Sequence, residues 1–268
     1  MKAASDDSQA ANAAHSRRSV ALHSEWADMY ADLYAHAGVD HYRDYFAYGR
    51  HLLDLSLDRY LPANGEGRRL LDVGCGTGHQ LAALRARGYE VAGVDASEAM
   101  LRHARENNPQ AEIVRAEVDR LPFDDVTFDY VISIEVLRHL RDPVPAIREF
   151  ARVLKPGGTA LATAAPILNL NLYWLVNLLS ARVRIGNLRR LRQFFTTSGR
   201  LRRQFGDAGF GTVDVHGLTF GPMTWVERLA GRRTPAILRR WEPIDRAVAD
   251  RMLLRELANM YLVRAVRK

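Results

Sequence analysis

Hydrophobic and polar positions along this chain fall into short apolar runs separated by amphipathic stretches. Leu70-Leu71-Asp72-Val73 reads as a buried strand, and it breaks at once into Gly74-Cys75-Gly76-Thr77-Gly78. The residues that follow, His79 to Arg87, carry apolar side chains at helical spacing. The alternation then repeats, with strands over 69–73, 90–94, 111–115, 128–134 and 158–163 and helices over 77–87, 97–107 and 143–154. Ser97 reads as an N-cap, and Lys155-Pro156-Gly157-Gly158 as a tight turn. Such alternation predicts a parallel sheet wrapped by helices. Two late strands, Thr212 to Phe220 and Asn259 to Arg267, follow.

The flanking segments differ in character. Residues 1–22 read as a disordered tail, rich in Ala, Ser and mixed charge, with no apolar core of the signal-peptide kind. His23 to Tyr60 reads as helical and aromatic, and Trp26, Tyr30 and Tyr34 share one helix face. That face suits core packing as well as a lid over a site. Pro62 to Gly67 reads as a linker. After the core, residues 167–205 form an insertion or cap, with Leu168, Leu170, Leu172, Trp174 and Leu175 ahead of an arginine cluster. The last part, 206–268, carries the C-terminal strands and helices.

The glycine turn supplies the first candidate chemistry. Strand, glycine turn and helix together place a nucleotide-like ligand beyond the carboxyl end of a strand. A dinucleotide fingerprint needs glycine or alanine at position 79, which holds His79. The glycines instead run G-x-G-x-G within Asp-x-Gly-x-Gly-x-Gly. Asp95 ends the second strand, 17 residues after Gly78, where a carboxylate can accept hydrogen bonds from ribose hydroxyls. Ala111 to Val118 is followed by Asp119-Arg120-Leu121-Pro122-Phe123, and Phe128 to Leu140 completes the block.

This ordered set resembles the class I S-adenosylmethionine-dependent methyltransferases, in particular the small-molecule enzymes of the ubiquinone and menaquinone biosynthesis type. The resemblance covers residues 68–166. It implies an α/β, Rossmann-like fold with a seven-stranded, mostly parallel sheet, helices on both faces and an antiparallel C-terminal edge strand. It implies S-adenosyl-L-methionine as cofactor and no metal. Gly74, Cys75, Gly76 and Gly78 would hold the methionine part. Asp72 would either meet the methionine amino group or only orient the turn. Asp95, with Ala96 beside it, would hold the ribose. Glu117 or Asp119 would meet the adenine amino group, Val118 would offer its N–H to the ring, and Ser133 would close the set at the end of the fourth strand.

The acceptor side carries Glu135-Val136-Leu137-Arg138-His139. The family often has Glu or His where this chain has Arg138, which sets the acceptor apart. His139 is the candidate general base, since imidazole has a suitable pKa; its alternative is a structural role at the strand end. His36 and His41 are weaker candidates on the lid.

Composition sharpens the picture in two places. A single cysteine excludes an internal disulfide and suits a reducing, cytoplasmic setting. The net charge of +7 hides an asymmetry: residues 1–166 sum to −5 and residues 167–268 to +12. No Asp or Glu lies between Glu149 and Asp207, a gap that holds Arg182, Arg184, Arg189, Arg190, Arg192, Arg200, Arg202 and Arg203. Such a single-signed stretch attracts anions or an anionic surface. The apolar residues ahead of it fit an interfacial helix, a lid over a greasy or anionic acceptor, or a plain solvated face.

The expected function is methyl transfer to an oxygen of a hydrophobic, lipid-linked or anionic small molecule, with peripheral contact to an anionic membrane as one expected partner. The alternatives are an RNA methyltransferase, for which no added RNA-binding module is present, and a cofactor-binding regulator without turnover.

Overall fold

The computed structural model describes residues 17–37, 40–172, 175, 193–249, 251 and 254–268. The disorder expected of residues 1–16 falls outside them. Residues 17–22, expected as the end of that tail, are instead helical and run on to residue 25 (α1); Ser19 is buried there and Val20 lines a cavity. Two further helices precede the sheet, α2 (Ala27–Ala37) and α3 (Tyr45–Asp58). Asp44 caps α3 by accepting from the Ala47 N–H at 2.8 Å.

The sheet is built from β1 (Arg69–Val73), β2 (Glu90–Asp95), β3 (Glu112–Arg115), β4 (Phe128–Ser133), β5 (Leu154–Pro166), β6 (Phe195–Thr196), β7 (Phe210–Leu218) and β8 (Met260–Arg267). The order is β3-β2-β1-β4-β5-β8-β7, a seven-strand path, with the two-residue β6 paired to the end of β5. Strands β3 to β5 run parallel, and β8 is antiparallel to both β5 and β7. Within the C-terminal pair, β7 takes the outermost place.

Helices α4 (His79–Ala86), α5 (Glu98–Asn107), α6 (Val144–Val153) and α7 (Ser198–Asp207) cover the sheet. Both faces are buried, which explains the nearly continuous apolar runs. Leu71, Val73, Val131 and Ala160 pack with Ile147, Phe150, Leu201 and Phe205. Their strand neighbours Leu70, Val91, Ile132 and Leu161 pack on the other side with Leu53, Leu57, Leu81 and Leu101. Each fully buried leucine contributes about 1.5–3 kcal/mol. Helices α8 (Met223–Ala230) and α9 (Thr234–Val248) form a third small core with α3 through Tyr48, Leu52, Met223 and Leu238.

Two further segments differ from expectation. Lys155 to Gly158 is no turn between elements but an irregularity inside β5, where the register against β4 shifts. A Cβ on Gly158 would lie 3.0 Å from the Asp129 carbonyl oxygen, so the strands close up only around glycine. Residues 198–205, expected in the cap, belong to α7 and bury Leu201 and Phe205 against the sheet; Arg200, Arg202 and Arg203 lie on its exposed side.

Candidate active site

The strand order reverses between β1 and β4, and the carboxyl ends of parallel strands at such a switch point leave a crevice. The loop after β1 forms its floor. Gly74 has φ +79°, and a Cβ there would lie 2.2 Å from a Val136 methyl carbon. Only glycine lets the two loops approach so closely. The Gly74 and Cys75 N–H groups donate to the Val94 carbonyl at 2.7 and 2.9 Å. The Gly76 N–H donates to Asp95 Oδ2 at 3.0 Å, while Asp95 Oδ1 accepts from the Ser97 N–H at 2.8 Å. One carboxylate thus ties the glycine loop to the start of α5.

Above this floor lies a cavity of about 470 Å³. Its roof is α1 and α2, which contribute Val20, His23, Tyr30, Leu33 and Tyr34. Phe46 and Arg50 enter from α3, and Glu135, Val136, Arg138 and His139 from the segment after β4. Roof and floor are joined by Ser24 and Ser97, whose hydroxyls lie 2.7 Å apart. His103 Nε2 and Asp28 Oδ1 add a 2.8 Å contact, and the Tyr34 and His79 rings stack at 5.6 Å.

The far wall is set by the stretch after β4. Glu135 has φ +64°, a left-handed conformation rare for a residue with a side chain. Its N–H donates to Thr163 Oγ1 at 2.6 Å, and its carboxylate is paired with Arg138. The Arg138 carbonyl accepts from the Phe194 N–H at 2.8 Å. The chain therefore returns from the insertion directly beside the cavity, which Gln193 lines.

Burial shapes the electrostatics. It pushes the Asp72 carboxyl up to about 7, against the opposing pull of the Arg50 guanidinium. Asp95 is also raised by burial, with the Ser97 and Gly76 N–H groups pulling the other way. Burial lowers His79 and holds the Cys75 thiol well above its usual range, consistent with a packed rather than reactive sulfur. Tyr30 and Tyr34 are raised by burial as well.

Of the residues expected from sequence, Asp72, Gly74, Cys75, Gly76, Asp95 and Ala96 line the cavity, joined by Glu117, Val118 and His139. Three others are not among the lining residues. Gly78 (φ +75°) starts α4, and a Cβ there would crowd Ala104 and Asn108. Ser133 is fully buried and donates to the Val73 carbonyl at 3.0 Å, holding β4 to β1. Asp119 is exposed. His41 is also exposed and stacks on His51, away from the cavity. The His36 side chain and Arg182, Arg184, Arg189, Arg190 and Arg192 lie outside what is described.

Sequence reasoning missed His23 and Arg50 as lining residues, and it placed Glu135 on the acceptor side without giving it a role. The spacing of Phe46 and Arg50, one helical turn apart, was a usable signal for Arg50. Nothing local marks Glu135, whose orientation comes from β5 through Thr163. The Leu121-Pro122-Phe123 motif is held structurally: Arg152 donates to the Leu121 and Phe123 carbonyls at 2.9 and 2.7 Å, and Glu149 accepts from the Leu121 N–H at 2.7 Å.

Residues 71–162 match a protein family described as a methyltransferase domain. A ubiquinone biosynthesis O-methyltransferase of Idiomarina loihiensis is 31% identical over 166 residues, 59% of this chain and 67% of that one. A malonyl-[acyl-carrier protein] O-methyltransferase of Erwinia pyrifoliae is 41% identical over 97 residues, 36% of this chain and 37% of that one. Several such relatives are matched over less than half of their own length. The crystal structure of an S-adenosylmethionine-dependent methyltransferase from Thermotoga maritima superposes with a TM-score of 0.60 at 17% identity, covering 91% of this chain and 98% of that one, which establishes the fold.

Proposed function

The chain belongs to the small-molecule class I S-adenosylmethionine-dependent methyltransferases, and from that premise we propose that it methylates an oxygen of a hydrophobic, lipid-linked or anionic metabolite. The cofactor is S-adenosyl-L-methionine. The cavity fits it at three points: a glycine floor that a Cβ would fill, the Asp95 carboxylate at the strand end, and the buried Asp72 and Arg50 as opposite charges for an amino acid's two groups. When bound, that cofactor supplies an electrophilic methyl group on a sulfonium.

The chain's own residues then have positioning and proton-handling to do. Backbone at Gly74 to Gly76 and the Asp72 and Arg50 side chains would hold the amino-acid end. Asp95 would hold the ribose, and Glu117 and Val118 the adenine. Tyr30, Tyr34 and Leu33 exclude water from above. His139 faces the same cavity and would accept a proton from a neutral hydroxyl acceptor.

The observation that carries this reading is the single cavity shared by the Gly74–Gly76 floor and the Arg138–His139 wall. Isothermal titration with S-adenosylhomocysteine tests it: micromolar binding is expected, and folded protein giving no heat sinks it. Both named relatives are O-methyltransferases, which is the ground for proposing an oxygen acceptor.

A second reading concerns where the acceptor comes from. Helix α8 exposes Trp225 and Leu229 beside Arg228, Arg232 and Arg233, and the neighbouring Leu168 and Leu172 are exposed too. Asn171 joins these two segments, its side-chain oxygen accepting from the Thr224 N–H at 3.1 Å. Aromatic, aliphatic and cationic side chains together suit the interface of an anionic bilayer. No helix among the described residues is long and apolar enough to cross a membrane. Sedimentation with phosphatidylglycerol vesicles, lost in Trp225→Ser/Leu229→Ser, is the expected result.

A further inference from the structure

We propose that Arg138 selects the acceptor by binding an anionic oxygen group on it, a carboxylate or a phenolate. The inference rests on the methyltransferase reading above and adds a substrate class to it.

Two cations line the cavity among the described residues, Arg50 and Arg138. Arg50 is committed to the floor end: it donates to Gln80 Oε1 at 2.5 Å, pairs with Asp54 at 3.6 Å and lies 5.4 Å over the Tyr34 ring. Arg138 stands at the other end, beside His139 and Gln193. Glu135 takes one edge of its guanidinium. The Nε–H on the remaining edge is buried and has no hydrogen-bond partner in the protein. A guanidinium presents five donors in a rigid fork that matches a carboxylate two bonds at a time. A buried charged donor without an acceptor is costly, and a small turn of the partly exposed guanidinium toward the cavity lets a ligand oxygen supply one.

The surroundings fix this donor in place. Glu135 is held in its left-handed conformation by Thr163, which is fully buried. The Arg138 backbone is held from the other side by the Phe194 N–H. The guanidinium is thus set by β5 on one side and by the returning insertion on the other. Glu135 acts as its positioning partner. Glu135 and Arg138 both line the cavity as a pair, so an anion is drawn by the unpaired edge of the guanidinium and not by the net charge of the wall.

The test uses the full chain saturated with S-adenosylhomocysteine, whose own binding is measured first by titration. Matched probes are 3,4-dihydroxybenzoate and its neutral amide, with 4-nitrocatechol, ionised at pH 8, as the phenolate arm. The parent is expected to bind at least one anionic probe tenfold or more tightly than the amide. Arg138→Gln should erase that preference while S-adenosylhomocysteine affinity changes by less than about threefold. Glu135→Gln, which keeps an acceptor for Arg138 but removes the competing negative charge, should strengthen binding of the same probe severalfold; if Arg138→Gln does not fold, unchanged or weaker binding in this variant overturns the proposal. Which probe responds separates carboxylate from phenolate. Equal affinity for charged and neutral probes in the parent, no binding of either anion, or a preference that survives Arg138→Gln overturns the proposal. Failure of S-adenosylhomocysteine itself to bind overturns the methyltransferase reading instead.

Discussion

The imidazole rings of His23 and His139 meet edge to face with centroids 5.0 Å apart. One comes from the first helix and the other from the 3-10 turn Leu137–His139 after β4. His23 Nδ1–H donates to the Ser19 carbonyl at 2.8 Å. The pair closes the cavity where roof and wall meet.

This contact separates a chemical role from a packing one. With a neutral hydroxyl acceptor, His139→Ala should lower kcat by roughly 10²–10⁴ while cofactor affinity stays nearly constant. The limb of the rate profile that rises with pH should vanish with it. His23→Phe keeps the aromatic edge against His139 and should stay within about tenfold of the parent. Steady-state rates for the three proteins decide; parental kcat in His139→Ala makes that residue structural and favours a preformed anion as acceptor.

Asp72 makes the site pH-dependent. Its carboxyl titrates near 7 in the fold but at about 4 in an unfolded chain. The folded state therefore binds the extra proton between those values. The stability tied to that proton is fully present below about pH 4 and is lost as pH rises through 7. Asp72→Asn should flatten this part of a denaturation series and be the more stable protein at pH 8. Binding of a ligand ammonium favours the ionised carboxylate, so cofactor affinity should rise from pH 6 to pH 8 with release of a proton. Calorimetry in buffers of different ionisation enthalpy reads that proton directly, and a pH-independent affinity would refute it.

Gly74 and Val136 test the floor. Gly74→Ala places a Cβ on a Val136 methyl carbon and forces a positive φ on alanine, a strain of about 1–3 kcal/mol before the clash is counted. Loss of cofactor binding is expected together with a lower Tm. Adding Val136→Ala relieves the clash but not the backbone strain, so the double variant should recover part of the Tm. Identical melting of single and double variants would show that the clash is absorbed elsewhere.

Tyr48 and Asp245 form a buried bond and are not among the residues lining the cavity. The Tyr48 hydroxyl donates to Asp245 Oδ2 at 2.5 Å, and the Phe220 N–H donates to Oδ1 at 2.7 Å. Burial already pushes Asp245 up to about 6. Tyr48→Phe removes one of its donors and should destabilise the fold by about 1–3 kcal/mol at pH 8. The cost should shrink at pH 5, where the carboxyl is protonated in the variant. Urea denaturation at the two pH values compares them.

Much of the sheet is legible in the sequence because its strands are buried on both faces. Leu70 to Val73 and Phe128 to Ser133 read as apolar runs, and Ser97 marks a helix start by its hydroxyl alone. The geometry of the glycine loop and Asp95 is legible for a similar reason: their contacts are made within one βαβ unit. What escapes is decided at a distance. The helical state of residues 17–22 goes with a segment that meets the start of α5 through Ser24 and Ser97, and Glu135 donates its N–H to Thr163 on another strand. Ser133 and Gly78 sit at the right places for ligand contacts but spend their geometry on β1 and α5. Lys155 to Gly158 has the composition of a turn and becomes a bulge because β5 continues on both sides.

The roof over the cavity rests on the floor through polar and edge contacts, the Ser24–Ser97 hydroxyls, His103 with Asp28, and Tyr34 on His79. The sheet below is held by wholly buried leucines and phenylalanines. The two halves of the container thus differ in local unfolding energy. Amide protons of α1 and α2 should exchange with solvent far sooner than those of β1 and β4. A molecule held between them works as a cross-link, so its residence time is set by how often the first helices lift.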